Sequence, residues 1–156
     1  MALKIVENNI PEEFIRLINT FSQSDKIMER SGVRMIGIIS RRTDAGRSVN
    51  GAPFIDYSAG YKKRRQRSGR SVKPNLQFSG EMLRGMKFTV DERIKDVRVI
   101  VDFPKRFHSR SRIPIDELAE VQHKTRPFFD LSAREQALEE LKIIADLERL
   151  FKGRGF

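Results

Sequence analysis

An α+β fold is predicted for this chain: N-terminal helices, a long basic loop, a small antiparallel β-sheet and a C-terminal helix. Three stretches predict it. Val97, Val99, Val101 and Phe103 recur at period two, the mark of a strand with one buried face. Ser132-Ala133-Arg134-Glu135 forms a capping box ahead of apolar residues at helical spacing. Residues 41–75 show little periodicity and are punctuated by Gly46, Gly51, Pro53, Gly60, Gly69 and Pro74, which reads as a connection.

Taken in order, Asn9-Ile10-Pro11-Glu12-Glu13 reads as a helix start. Asn caps free amides, Pro fits the first turn and Glu suits the positive helix end. Phe14, Leu17, Ile18 and Phe21 follow at helical spacing. From Asp25 to Ile39 the residues Ile27, Met28, Met35, Ile36 and Ile39 fit a helix face, while Val33 to Ile39 reads equally as a β-rich run. Gly32 and Gly37 each weaken a helix by about 1 kcal/mol relative to Ala. Within the loop, Tyr57 and Tyr61 are four apart, so a short helix from Ser58 to Arg67 is consistent with the spacing, Ser58 being its cap.

Ser79 to Met86 predicts a helical turn with Met82, Leu83 and Met86 on one side. Phe88 and Val90 then alternate with polar residues and pair with the Val-rich strand as a hairpin ended by Pro104. Ile115 to Gln122 is a short amphipathic segment, and Arg126 is extended because Pro127 follows it. The last helix presents Ala137, Leu138, Leu141, Ile144, Ala145 and Phe151 as its apolar face, with Gly153 and Gly155 beyond it.

A length of 156 residues suits a single domain, 1–156, with 41–75 as its basic loop and 153–156 as a short tail. The absence of cysteine excludes disulfides, a thiol nucleophile and thiolate metal sites. No apolar run approaches the ~18 residues of a membrane span, and no signal-peptide core is present; a cytosolic site of synthesis is the expectation.

Catalytic chemistry finds little support. His108 and His123 do not share a metal-ligand spacing. Ser68-Gly69-Arg70-Ser71 lacks the spacing and the lysine of a phosphate-binding loop, and no Gly-x-Ser-x-Gly elbow occurs. His123 reads as a surface histidine, and the acid pairs Glu12-Glu13 and Glu139-Glu140 read as solvated helix surface. No catalytic, cofactor-binding or metal-binding residue is assigned, and no cofactor or enzymatic activity is expected.

Charge is the stronger signal. The net charge is +10, and between Arg41 and Lys73 ten basic residues stand against Asp44 and Asp56, a local balance of +8. Localised positive charge attracts phosphate or acidic surfaces, although a solvated loop explains it equally well. Lys62, Lys63, Arg64, Arg65, Arg67, Arg70 and Lys73 are the candidates for polyanion or partner contact. No aromatics interleave with the arginines, so nucleic-acid contact would be to phosphates, dependent on salt and independent of sequence. Tyr57, Tyr61, Phe128 and Phe129 are the candidates for packing or an interface. Adjacent aromatics in an extended segment cannot share a face, so Phe128 and Phe129 both enter the core only at a bend.

Several of these pieces fall in one order: Gly51-Ala52-Pro53-Phe54, Tyr57-Ser58 and Tyr61-Lys62, Asn75-Leu76, Ser79-Gly80-Glu81-Met82-Leu83, the Val-rich strand, and Arg126-Pro127-Phe128-Phe129 before a final helix. From Ile27 to Phe151 the chain thereby resembles the tail-completion, or virion-morphogenesis, proteins of tailed bacteriophages. It departs from them between Leu118 and Thr125, where relatives often carry a His-x-x-Gly segment and this chain has no glycine. The resemblance implies a helix over Asp25 to Ile39. It also implies a non-enzymatic structural protein of the virion, assembled in the host cytoplasm and acting near the head–tail junction. Its implied partners are copies of itself, in an oligomer expected to be a ring, other neck or tail proteins, and DNA phosphates in the channel. The alternative from a different class is a sequence-independent nucleic-acid-binding module.

Overall fold

A computed structural model describes residues 3–4, 24–77, 79–93, 96–109 and 111–152. The expected first helix, Pro11 to Phe21, and the tail 153–156 lie outside the described residues. The fold is α+β, in the order β1 (Leu3–Lys4), α1 (Ser24–Asp44), α2 (Ala59–Arg67), α3 (Glu81–Arg84), β2 (Lys87–Arg93), β3 (Asp96–Asp102), α4 (Ile115–Thr125) and α5 (Ala133–Lys152). The chain divides into two compact units. One consists of Ile39–Met86 and Phe103–Asp130 with Met1; the other of Ala2–Ile38, Lys87–Asp102 and Leu131–Phe156.

In the second unit, β2 and β3 form the expected antiparallel hairpin, with Phe88 opposite Val101 and Val90 opposite Val99. The period-two reading identifies the buried side of β3, where Val99 and Val101 are buried. β1 pairs antiparallel with the other edge of β3, Leu3 opposite Val101, giving the sheet order β1-β3-β2. A two-residue strand has no period of its own, so β1 leaves no mark in the sequence. α1 resolves the ambiguity of residues 25–39 in favour of helix. Ile27, Met28, Ser31 and Met35 lie buried along it, and Gly32 sits so close to the Phe88 ring that a Cβ would come within 2.4 Å of it. The glycine that lowers helix propensity is therefore what lets β2 approach.

α5 begins with the anticipated capping box. The Glu135 carboxylate accepts from the Ser132 backbone N–H at 2.8 Å, and the Ser132 hydroxyl accepts from the Glu135 N–H at 3.3 Å. Its buried face differs from expectation. Glu139, Ile143 and Leu147 are buried, whereas Leu138, Leu141 and Ile144 are exposed. Glu139, expected on a solvated surface, is 0% exposed and accepts from Arg34 Nε of α1 at 2.6 Å, while Arg34 Nη1 donates to Asp146 at 3.0 Å. α5 is apolar on two sides, and the arginine supplied by α1 draws the side bearing Glu139 and Asp146 inward.

In the first unit, Phe103 stacks with Phe128 and Phe129 at centroid distances of 6.2 and 4.5 Å. Both residues of the Phe128-Phe129 pair are buried within the chain. A bend achieves this. Val49 N–H donates to Pro127 O, and Arg42 Nη2 donates to Phe128 O at 2.7 Å and to Asp130 O, fixing the carbonyls of the turn.

The candidate polyanion and partner face

The expected long loop is largely built structure. α1 continues to Asp44, Arg47 bridges to Pro53, and α2 occupies 59–67. Gly46, at φ +71°, turns the chain out of α1 with Pro74 O only 2.8 Å from where a Cβ would stand. Ser58 caps α2 as expected, its hydroxyl accepting from Tyr61 N–H at 3.4 Å. At the other end Arg70 N–H bonds Arg65 O and Gly69 N–H bonds Gln66 O, with Gly69 at φ +62°. This pair of bonds around a left-handed glycine is a Schellman closure. Arg64, Arg65 and Arg67 fill the last turn, where cations meet the negative end of the helix dipole.

The seven basic candidates separate into different environments. Lys63, Arg64, Arg67, Arg70 and Lys73 are exposed. Lys62 is half-buried and pairs with Asp56, whose carboxyl is held below its ordinary range by that lysine. Arg65, a candidate for polyanion contact by its place in the basic run, is 1% exposed and turns inward. Its Nε donates to Ser71 O, and its Nη2 donates to Asn75 Oδ1 and Gln77 O, each at 3.2 Å. The guanidinium lies 5.1 Å from the Tyr57 ring centroid and 5.9 Å from that of Tyr61. Five donors in a planar fork suit this task, because they reach several carbonyls while the ring faces stabilise the charge.

Tyr57 and Tyr61 pack edge to face at 4.9 Å, and Tyr57 Oη accepts from Leu76 N–H at 3.1 Å. Arg126 also stacks on Tyr57 at 5.1 Å and donates to Ile55 O at 3.0 Å. Both tyrosines are therefore packing residues that hold α2 against the 71–77 segment and the end of α4. With Arg65 drawn inside, the outer side of α2 presents Lys63, Arg64 and Arg67. Lys63 and Arg67 are i,i+4 neighbours and Arg64 and Arg67 are i,i+3 neighbours, so each pair repels by a few tenths of a kcal/mol. An anionic partner removes that repulsion.

Beside this face lies a cleft of about 610 Å³, lined by Arg64, Leu76, Ser79, His108, Gln122 and Arg126 among others. Ser79 Oγ and His108 Nε2 are 2.8 Å apart, a contact that the sequence does not signal. Glu81 approaches the same Nε2, at 3.8 Å, while Nδ1 accepts from the Ser111 N–H at 3.3 Å. Glu81 instead accepts from Ser109 N–H at 2.9 Å and from the Ser109 hydroxyl, which hold its carboxyl below the ordinary range. These bonds tie the 105–113 segment to α3. Among the described residues no group of three or more His, Asp or Glu is placed to hold a metal ion, and no helix is long and apolar enough to cross a membrane.

His123 is not the surface residue expected. It is half-buried, its Nδ1 accepts from Phe129 N–H at 3.2 Å, and its ring meets Phe128 edge-on. Burial lowers its pKa from 6.5, opposed by the nearby Asp130 charge. The unfolded chain therefore takes up a proton near pH 6.5 that the folded ring accepts only at lower pH, so stability falls as pH drops through this window. The expected result is that His123→Gln reduces the loss of thermal stability between about pH 7.5 and about pH 5.5 relative to the parent chain. Identical losses in the two proteins would refute it.

Comparison with family models, with curated proteins and with solved structures found no match.

Proposed function

We propose that this chain is a non-enzymatic structural protein of a tailed-bacteriophage particle, which completes the tail or joins it to the head at the neck and acts there as a ring-forming oligomer. The observation that carries the reading is a convergence. The separate short motifs of the phage-family resemblance meet in one cluster: Tyr57 with Tyr61, Tyr57 Oη on Leu76, Arg65 on Asn75, Arg126 on the Ile55 carbonyl, and Pro127 on Val49. Residues scattered over more than half the chain that serve one framework are what a coherent motif set requires. The framework's product is the exposed face of Lys63, Arg64, Arg67, Arg70 and Lys73 beside the cleft. Such a face suits an acidic surface of a neighbouring virion protein or the phosphates of channel DNA.

Deleting the gene from the phage is expected to leave unjoined heads and tails, and micrographs of normal virions from the deletion strain would refute the role. Exchanging Lys63, Arg64, Arg67 and Arg70 for glutamine is expected to lower the yield of infectious particles at least about tenfold while leaving the fold intact by circular dichroism. The alternative, a free nucleic-acid-binding module, rests on the same basic face. It requires the isolated protein to bind DNA or RNA with a steep salt dependence that this exchange flattens by about four counterions. A shallow salt response by the parent protein would exclude it.

A further inference from the structure

α5 uses one apolar face inside its own unit and leaves another outside. The outer face consists of Ala137, Leu138, Leu141, Ile144 and Ala145, of which Leu138, Leu141 and Ile144 are 48%, 62% and 44% exposed. At helical spacing these side chains form a single stripe roughly 100° wide. Exposed Arg134 and Glu148 close its two ends. A contiguous apolar stripe rimmed by charge marks an interaction surface.

The stripe is complementary to itself. Arg134 and Glu148 lie equally far from Leu141 along the helix, on opposite sides. Turning a second copy antiparallel about a two-fold axis beside Leu141 sets Leu141 level with Leu141, Leu138 with Ile144 and Ala137 with Ala145. The large residues then fill the centre of the seam and the small ones flank it on both sides, giving one continuous apolar contact. The same operation brings Arg134 to Glu148, and every contact away from the axis occurs twice. Parallel pairing would instead oppose Arg134 to Arg134 and Glu148 to Glu148.

We propose that two copies of this chain associate through α5, antiparallel and centred on Leu141. The inference goes beyond the assembly role and does not rest on it. A two-fold contact closes at two copies, whereas a ring needs a heterologous surface.

The chain has no cysteine, so a single introduced thiol reports one position unambiguously. In the full-length protein, Leu141→Cys is expected to cross-link to a dimer with a short bis-maleimide. Val121→Cys, also exposed but placed in the other unit, is expected to remain monomeric. Sedimentation of the parent chain is expected to show a concentration-dependent dimer that Leu141→Glu weakens at least about thirtyfold. Arg134→Glu is expected to weaken it as well, and adding Glu148→Arg to restore it. The proposal fails if the parent chain stays monomeric at about 100 µM, if Cys at 141 gives no dimer, or if the dimer is indifferent to Leu141→Glu.

Discussion

Arg65→Met is expected to cost about 3–5 kcal/mol of stability, the largest effect of any single substitution in the basic segment. The parent guanidinium satisfies the carbonyls of Ser71 and Gln77 and the side chain of Asn75 from a position that is 1% exposed. Methionine fills much of the volume but donates nothing, so the two carbonyls keep their desolvation and lose the arginine donor, while Asn75 Oδ1 keeps only the Gln77 N–H. The two tyrosine faces also lose their cation. Arg65→Lys restores the charge but not the fork, and is expected to recover less than half of the loss. Urea unfolding followed by far-ultraviolet circular dichroism measures both variants. Arg64→Met and Arg67→Met, on the exposed side of the same helix, are the controls and are expected to stay within about 0.5 kcal/mol of the parent. A cost for Arg65→Met as small as theirs would overturn the assignment of Arg65 as the internal tie of this segment.

Arg34→Met is the second large effect. Its loss leaves the Glu139 carboxylate, 0% exposed, without the 2.6 Å charge-assisted bond from Nε. Lys142 approaches Glu139 only at 3.9 Å and from the exposed side of the helix, so it does not replace that bond. The expected cost is about 3–5 kcal/mol. Asp146 contributes less to it, because it is partly exposed and also meets Arg149 at 3.2 Å. The double variant Arg34→Met/Glu139→Leu is expected to regain most of the stability, since it removes the stranded charge together with its partner. Denaturant unfolding of the two single variants and the double variant closes the cycle. A double variant as unstable as Arg34→Met would show that the arginine acts through packing rather than through the carboxylate.

These two residues also mark where reading the sequence stopped short. Arg65 sits in a run of like charges, and nothing in Lys62-Lys63-Arg64-Arg65 distinguishes the fourth position from the third. The acceptors that bury Arg65, at 71, 75 and 77, lie beyond the end of its helix and reach it only because Gly69 reverses the chain. Glu139 is likewise indistinguishable from Glu140 until Arg34, more than a hundred residues away, selects one of them. The basic face was legible as a concentration of charge. Its membership was not, since Arg65 belongs to the framework and Lys62 to a local pair with Asp56. The Ser79–His108 contact was equally invisible, because neither residue has a local pattern.

What the sequence determined by itself was whatever depends on neighbours a few residues apart: the buried side of β3, the Ser132–Glu135 capping box, the Ser58 cap and the hairpin. Hydrogen bonds and side-chain faces at such short range follow from spacing alone. Tertiary structure decided the rest: which arginine is internal, which glutamate is internal, and which of the two apolar faces of α5 turns inward. The physical reason is that periodicity shows a helix to be amphipathic or doubly apolar but carries no information about the group that will meet each face. A charged side chain enters the interior only where distant residues supply its hydrogen bonds, as Ser71, Asn75 and Gln77 do for Arg65 and Arg34 does for Glu139.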